Sequence, residues 1–222
     1  EFLFPIGPGL SPEALKAILM SYPGEKPGVI FAPQEWLLRF PQAERFFSVD
    51  FERDHSDYIY LASDLAELSG RKYHNKKNLL NQFLKQYPGY SCRMVQSDDL
   101  EACLRLSEKW CEYRLCDVYE FKHENSALQR ALENLGKLPY EGVVIYCGDQ
   151  LIAFSIFSFQ LPDMVAVHFE KFDPLIKGSA QVINWETARL LQSRVRWINR
   201  EQDLGIEGLR KAKLSYHPSR MT

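Results

Sequence analysis

The feature that most constrains this 222-residue chain is an apolar stretch over residues 143–159, broken in its middle by Gly148-Asp149-Gln150. A membrane-spanning helix needs roughly 20 uninterrupted apolar residues. A Gly-first pair between two runs rich in aromatic and β-branched residues signals a hairpin instead. The stretch therefore reads as two strands, 142–147 and 150–159, and a third follows at 164–170. Around them the expected order is a strand at 90–95, helices at 98–113 and 124–135, the three strands, a helix at 179–192, a strand at 195–199 and a last helix at 208–215. Antiparallel strands followed by a crossover helix and one more strand define a mixed α/β domain around a single sheet.

The first half is less regular. Ser11-Pro12-Glu13 is a helix start, with a hydroxyl cap, proline in the first turn and an acid beside the helix dipole. Short strands are expected at 28–32, 46–51 and 58–61 and a helix at 33–40, while Gly7-Pro8-Gly9 reads as a turn. Leu79, Leu80, Phe83, Leu84 and Tyr87 recur at helical spacing until Pro88-Gly89 ends the helix. A division into 1–88 and 89–222 is expected there. The chain opens at Glu1-Phe2-Leu3-Phe4 in what reads as mid-strand, as a fragment lacking its N-terminal part would.

Composition excludes several classes. A net charge of −2 leaves no bulk field to draw the chain onto nucleic acid or an anionic membrane. A 45% hydrophobic content excludes intrinsic disorder. Cys92, Cys103, Cys111, Cys116 and Cys147 are odd in number and form no C-x-x-C, which points to reduced thiols in a cytoplasmic protein. The five histidines are isolated and there is no P-loop, G-x-S-x-G elbow or cation loop, so no metal site is expected.

The expected order is similar to that of GNAT-type acyltransferases, and three segments carry a narrower resemblance. They are Leu68-Ser-Gly-Arg-Lys-Tyr-His-Asn-Lys-Lys-Asn78, Val167-His-Phe-Glu-Lys-Phe-Asp173, and the run from Trp197-Ile-Asn-Arg-Glu-Gln-Asp203 to Ser215-Tyr-His-Pro218. Together they resemble a bacterial family, the C-terminal catalytic domain of phosphatidylglycerol lysyltransferases and its soluble relatives. The resemblance implies tandem GNAT-like units, the first truncated here, and an activated acyl group moved onto an amine or hydroxyl. The donor it implies is an aminoacyl-tRNA.

Candidate site residues follow from chemistry and from that resemblance together. Arg71, Lys72, His74, Lys76 and Lys77 bunch at a helix start, where cations oppose the helix dipole. They read either as a solvated face attracted to the acidic stretch 44–67, or as a dock for a phosphate-bearing partner. His168 and Glu170 are expected on one face of the strand 164–170, with Val165, Val167 and Phe169 on the other. Glu170 or Glu201 is the expected base, with Lys171 and Arg200 as the cations that keep the two carboxylates from repelling. Asn199, Asp203, Arg210 and Lys211 are expected around them at the carboxyl end of a strand, the usual ligand position in open α/β sheets. Lys177, Gly178 and Ser179 stand where GNAT enzymes cradle the coenzyme A pyrophosphate, although the full Gly-x-Gly turn is absent. An acyl-CoA donor and a catalytically silent binding module are the two alternatives.

Overall fold

A computed structural model describes residues 2–5, 10–22, 27–30, 32–114 and 118–222. The turn expected at Gly7-Pro8-Gly9, and Cys116, lie outside the described residues.

The first half starts with strand β1 (Phe2–Leu3), helix α1 (Pro12–Met20), strand β2 (Val29–Ile30) and helix α2 (Gln34–Arg39). Ser11 caps α1 as its sequence demands, its hydroxyl accepting from the Ala14 N–H at 3.2 Å. Strand β1 pairs with β2 in a small parallel sheet. The strand expected at 46–51 is not formed. A 3-10 turn at Pro41–Arg45 leads into irregular backbone, and Phe46 and Phe47 both donate to the Ala43 carbonyl rather than to a neighbouring strand. Aromatic residues favour strands only where a partner strand and a buried face exist, and Phe51 is left exposed.

Then come strand β3 (Tyr58–Leu61), helices α3 (Ala62–Glu67) and α4 (His74–Gln86), strand β4 (Ser91–Met94), and helices α5 (Leu100–Arg114) and α6 (Val118–Glu133). A 3-10 turn, Ser97–Asp99, leads into α5. Gln96 and Asp99 form a capping box around that turn, and Asp99 also takes both guanidinium nitrogens of Arg93 at 2.7 Å. The remaining elements are β5 (Tyr140–Cys147), β6 (Gln150–Leu161), β7 (Met164–Phe172), α7 (Ser179–Leu191), β8 (Trp197–Asn199), α8 (Glu207–Leu214) and β9 (Arg220–Met221).

Seven strands form one sheet in the order β4-β5-β6-β7-β8-β3-β9. All pairings are antiparallel except β7 with β8, which α7 joins by a crossover. Helices α5 and α6 cover one face, burying Cys103, Leu106, Leu128 and Leu132 against Val144, Phe154 and Ile156. Helices α3, α4 and α7 cover the other, where Leu65, Leu80, Phe83, Val182 and Ile183 meet Ile145, Phe157, Val165 and Val167. Strand β3 lies between β8 and β9, so residues on both sides of position 88 share one sheet and one core.

One irregularity positions the site. Phe157 pairs with Val167 and Ile156 with Phe169, which leaves His168 without a ladder partner. This bulge resets the alternation of β7. Val165 and Val167 stay in the α4/α7 core, whereas Phe169 packs into the α5/α6 core. The expected sharing of one face by His168 and Glu170, opposite Phe169, is therefore wrong.

Candidate active site

Strands β7 and β8 are paired only from Met164–Trp197 to Ala166–Asn199; beyond that, β7 runs on to Phe172 while β8 ends. The side chains of the two strand ends fill the gap.

On the α4/α7 side, Arg200 Nη2 donates to Glu170 Oε1 at 2.7 Å, with both side chains only 13% and 14% exposed. The guanidinium also lies over the rings of Tyr216 (5.3 Å) and Tyr60 (5.9 Å). Burial opposes its charge, but Glu170 and the two tyrosines outweigh that and raise its pKa. Its Nη1 is buried with no partner among the described residues. Lys76 reaches the same ensemble from α4, its Nζ 4.3 Å from the centre of the Tyr216 ring. Burial, then repulsion from Arg200, lower the Lys76 pKa. Two cations and one carboxylate thus share this half of the site.

On the other side, His168 is held at both nitrogens. Nδ1 is 2.8 Å from Glu201 Oε1 and Nε2 is 2.8 Å from Ser158 Oγ on β6. An ionised carboxylate only accepts, so in the neutral imidazole Nδ1 carries the proton and Nε2 is the acceptor facing Ser158. The Tyr140 ring stands edge-on to the imidazole at 5.7 Å.

Glu201 owes its position to the strand end. Its backbone is left-handed, at φ 55°, a conformation that non-glycine residues adopt only when neighbours enforce it. Asn199 supplies one constraint: its Oδ1 accepts the Glu201 N–H at 2.7 Å, and its Nδ2 donates to Asp57 at 2.6 Å. Lys213 supplies another, donating to the carbonyls of Arg200 (2.6 Å), Glu201 (3.1 Å) and Gln202. Burial, then repulsion from Arg200, lower the Lys213 pKa to about 8. Consecutive residues Arg200 and Glu201 consequently face different partners, because the left-handed residue breaks the strand's alternation.

The other expected site residues are dispersed. Asp203 is fully buried and accepts from Arg53, Tyr58, Arg210 and the Gly205 N–H, which makes it and Arg210 the anchor of the loop after β8. Arg210 holds its carboxyl far below the usual range against the opposing effect of burial. Lys171 does not separate Glu170 from Glu201. It is 4% exposed, pairs with Glu124 of α6 at 2.8 Å and lies 4.0 Å over Trp110. Arg71, Lys72, His74 and Lys77 are exposed around the start of α4, where Lys72 is 3.5 Å from Asp64, and Lys211 is exposed on α8.

The coenzyme cradle is the clearest correction. Gly178 and Ser179 are buried, and only Lys177 is exposed. A Cβ placed on Gly178 would lie 2.7 Å from the Leu79 carbonyl oxygen and 2.7 Å from Phe83 Cβ. Helix α4 therefore occupies the space in front of the loop, and Ser179 turns inward to donate to the Asp173 carbonyl at 2.8 Å. Reading the sequence missed Ser158, Tyr60 and Lys213. The serine's only signal was a small polar residue inside an apolar run of β6, between Phe157 and Phe159.

A seven-stranded mixed sheet whose β7 and β8 part beside a crossover helix is the single-sheet mixed α/β fold expected from the order of elements. The chain belongs to the family described as phosphatidylglycerol lysyltransferase, C-terminal, whose model matches residues 1–222. A conserved protein of unknown function from Bacteroides thetaiotaomicron is 40% identical, with a TM-score of 0.72 over 77% of this chain and 58% of that one. An L-PGS from Bacillus licheniformis shares the fold at 14% identity, with a TM-score of 0.51 over 76% of this chain and 58% of that one. An uncharacterised protein of Mycoplasmoides gallisepticum is 27% identical over 167 residues, 73% of this chain and 53% of that protein. The chain thus spans little more than half the length of these relatives. Among the described residues, no helix is long and apolar enough to cross a membrane.

Proposed function

We propose that the chain moves an aminoacyl group from an activated ester onto an amine or hydroxyl acceptor where β7 and β8 part. The observation that carries this reading is His168, held between Glu201 and Ser158 with Nε2 as its accepting nitrogen. Such chemistry needs one positioned proton acceptor and little else when the donor is already activated. Here the acceptor is the imidazole rather than Glu170 or Glu201. Glu201 orients the ring, and Glu170 is engaged by Arg200.

The lysyltransferase family description favours an aminoacyl donor, which in its activated form is an ester on tRNA. The exposed Arg71, Lys72, His74 and Lys77, with half-buried Lys76 behind them, suit the phosphates of such a donor. The buried Gly178 argues against a pyrophosphate cradle for acyl-CoA.

The test offers the chain radiolabelled aminoacyl-tRNA or acyl-CoA, with phosphatidylglycerol vesicles or an amine-bearing peptide as acceptor. Label is expected to move from tRNA alone, with transfer falling steeply as salt rises and falling again on charge reversal at Lys76 and Lys77. Transfer from acyl-CoA alone would overturn the donor assignment. No transfer from either donor would favour the silent binding module.

A further inference from the structure

Ser158, His168 and Glu201 form a continuous hydrogen-bonded string across β6, the bulge of β7 and the turn after β8, with both links at 2.8 Å. A serine beside a histidine on adjacent strands is by itself an ordinary surface contact. Three features distinguish this one. The far nitrogen of the imidazole is occupied by a carboxylate, which fixes the tautomer that can take the serine's proton. The backbone that bears the carboxylate is itself held, its N–H donating to Asn199 Oδ1 and its φ left-handed at 55°. The bulge removes His168 from the ladder, and its ring meets the hydroxyl of a serine that is only half-buried, near the exposed end of β6.

We propose that Ser158 is a nucleophile that carries the acyl group covalently between donor and acceptor, a step that deepens and rests on the transferase reading above. Ser158 Oγ attacks the carbonyl carbon of the donor ester as its proton passes to His168 Nε2. The Oγ–C bond forms, the ester C–O bond breaks, and His168 returns the proton to the departing oxygen. An acyl-serine and a free hydroxyl on the donor result. The acceptor amine or hydroxyl then attacks the acyl-serine, its proton goes to Nε2, and Ser158 Oγ recovers a proton as it leaves. No oxidant or reductant takes part, and water in place of the acceptor makes the same sequence an ester hydrolysis. Glu201 is a positioning residue: it stabilises the imidazolium formed in each half.

The test treats the full chain with p-nitrophenyl acetate and, separately, with an alkyl fluorophosphonate, followed by intact-mass and peptide mapping. The expected result is one adduct per chain at Ser158. Ser158→Ala should lower labelling at least tenfold, and His168→Gln by about 10²–10⁴-fold, the range of a lost general base. Ser158→Cys should trap the acetyl group as a thioester. Glu201→Gln should lower the labelling rate at saturating probe while leaving the probe concentration for half-saturation unchanged, because only the orientation of the imidazole is lost. Unchanged thermal unfolding of each variant separates these effects from misfolding. An adduct elsewhere, no adduct with either probe, or Ser158→Ala labelled like wild type would overturn the proposal. The transferase reading fails separately. If Ser158→Ala keeps tRNA-dependent transfer while His168→Gln loses it, direct attack survives and the covalent relay does not. If His168→Gln keeps transfer, both readings fail.

Discussion

Replacing Gly178 by alanine probes whether α4 closes the loop that GNAT enzymes use for pyrophosphate. Gly178 sits at φ 88°, and its added Cβ would meet a helix carbonyl and the root of the Phe83 side chain at 2.7 Å, neither of them the free end of a flexible chain. Left-handed backbone costs an L-residue roughly 1–2 kcal/mol. Forcing a methyl into a filled contact adds about 1–3 kcal/mol. Together these predict a destabilisation of about 2–5 kcal/mol. Gly136 provides the comparison, because it also has a positive φ, 79°, with nothing within 4 Å of an added Cβ. Gly136→Ala should therefore show a backbone cost without the packing cost, about 1–2 kcal/mol. Urea unfolding measures both, provided that the slope m is unchanged so that midpoints report stability. If the two variants differ by less than about 0.5 kcal/mol, the range of inconsequential substitutions, α4 does not press on Gly178. The argument against a coenzyme cradle would then fail.

Two further outcomes follow from the charges. Glu170→Ala leaves Arg200 beside Lys76 with no carboxylate, and breaking a mostly buried pair in this way should cost about 3–5 kcal/mol. Lys76→Met in the same background should relieve part of that cost, and chemical unfolding of the double variant showing simple addition would refute the shared site. Acid stability should depend on Asp203, whose folded pKa lies far below its unfolded value. A depressed carboxyl gives stability that is present above the unfolded value of about 3.9 and lost progressively as pH falls below it. Thermal unfolding between pH 5 and 2 should therefore be less pH-dependent in Asp203→Asn, and identical slopes would contradict the anchoring role.

The strands and helices of the second half were legible because their periodicities are long and their breaks strong. Gly148-Asp149 turned β5 into β6, and Pro88-Gly89 ended α4 close to its observed limit at Gln86. The region 46–51 misled because its aromatic content resembles a strand, whereas pairing depends on a partner that sequence does not reveal. At the site, the sequence brought Glu170, Arg200, His168 and Glu201 to the right strand ends and set Arg200 beside a carboxylate, but it put His168 on the face of Glu170 and Lys171 between the two carboxylates. A one-residue bulge in β7 and a left-handed residue after β8 redirect the side chains, and neither leaves a mark in a pattern of period two. Gly178 was read as part of a coenzyme cradle, and only tertiary packing shows that α4 fills the space before it.

The account stands or falls on the imidazole. Single-turnover transfer from aminoacyl-tRNA, measured for His168→Gln beside wild type at matched folded concentration, tests it most directly. A general base contributes about 10²–10⁴-fold, so the variant should slow by at least a hundredfold while its tRNA affinity is unchanged. A His168→Gln rate within about threefold of wild type would contradict the role given to His168, and with it the site built around Ser158 and Glu201.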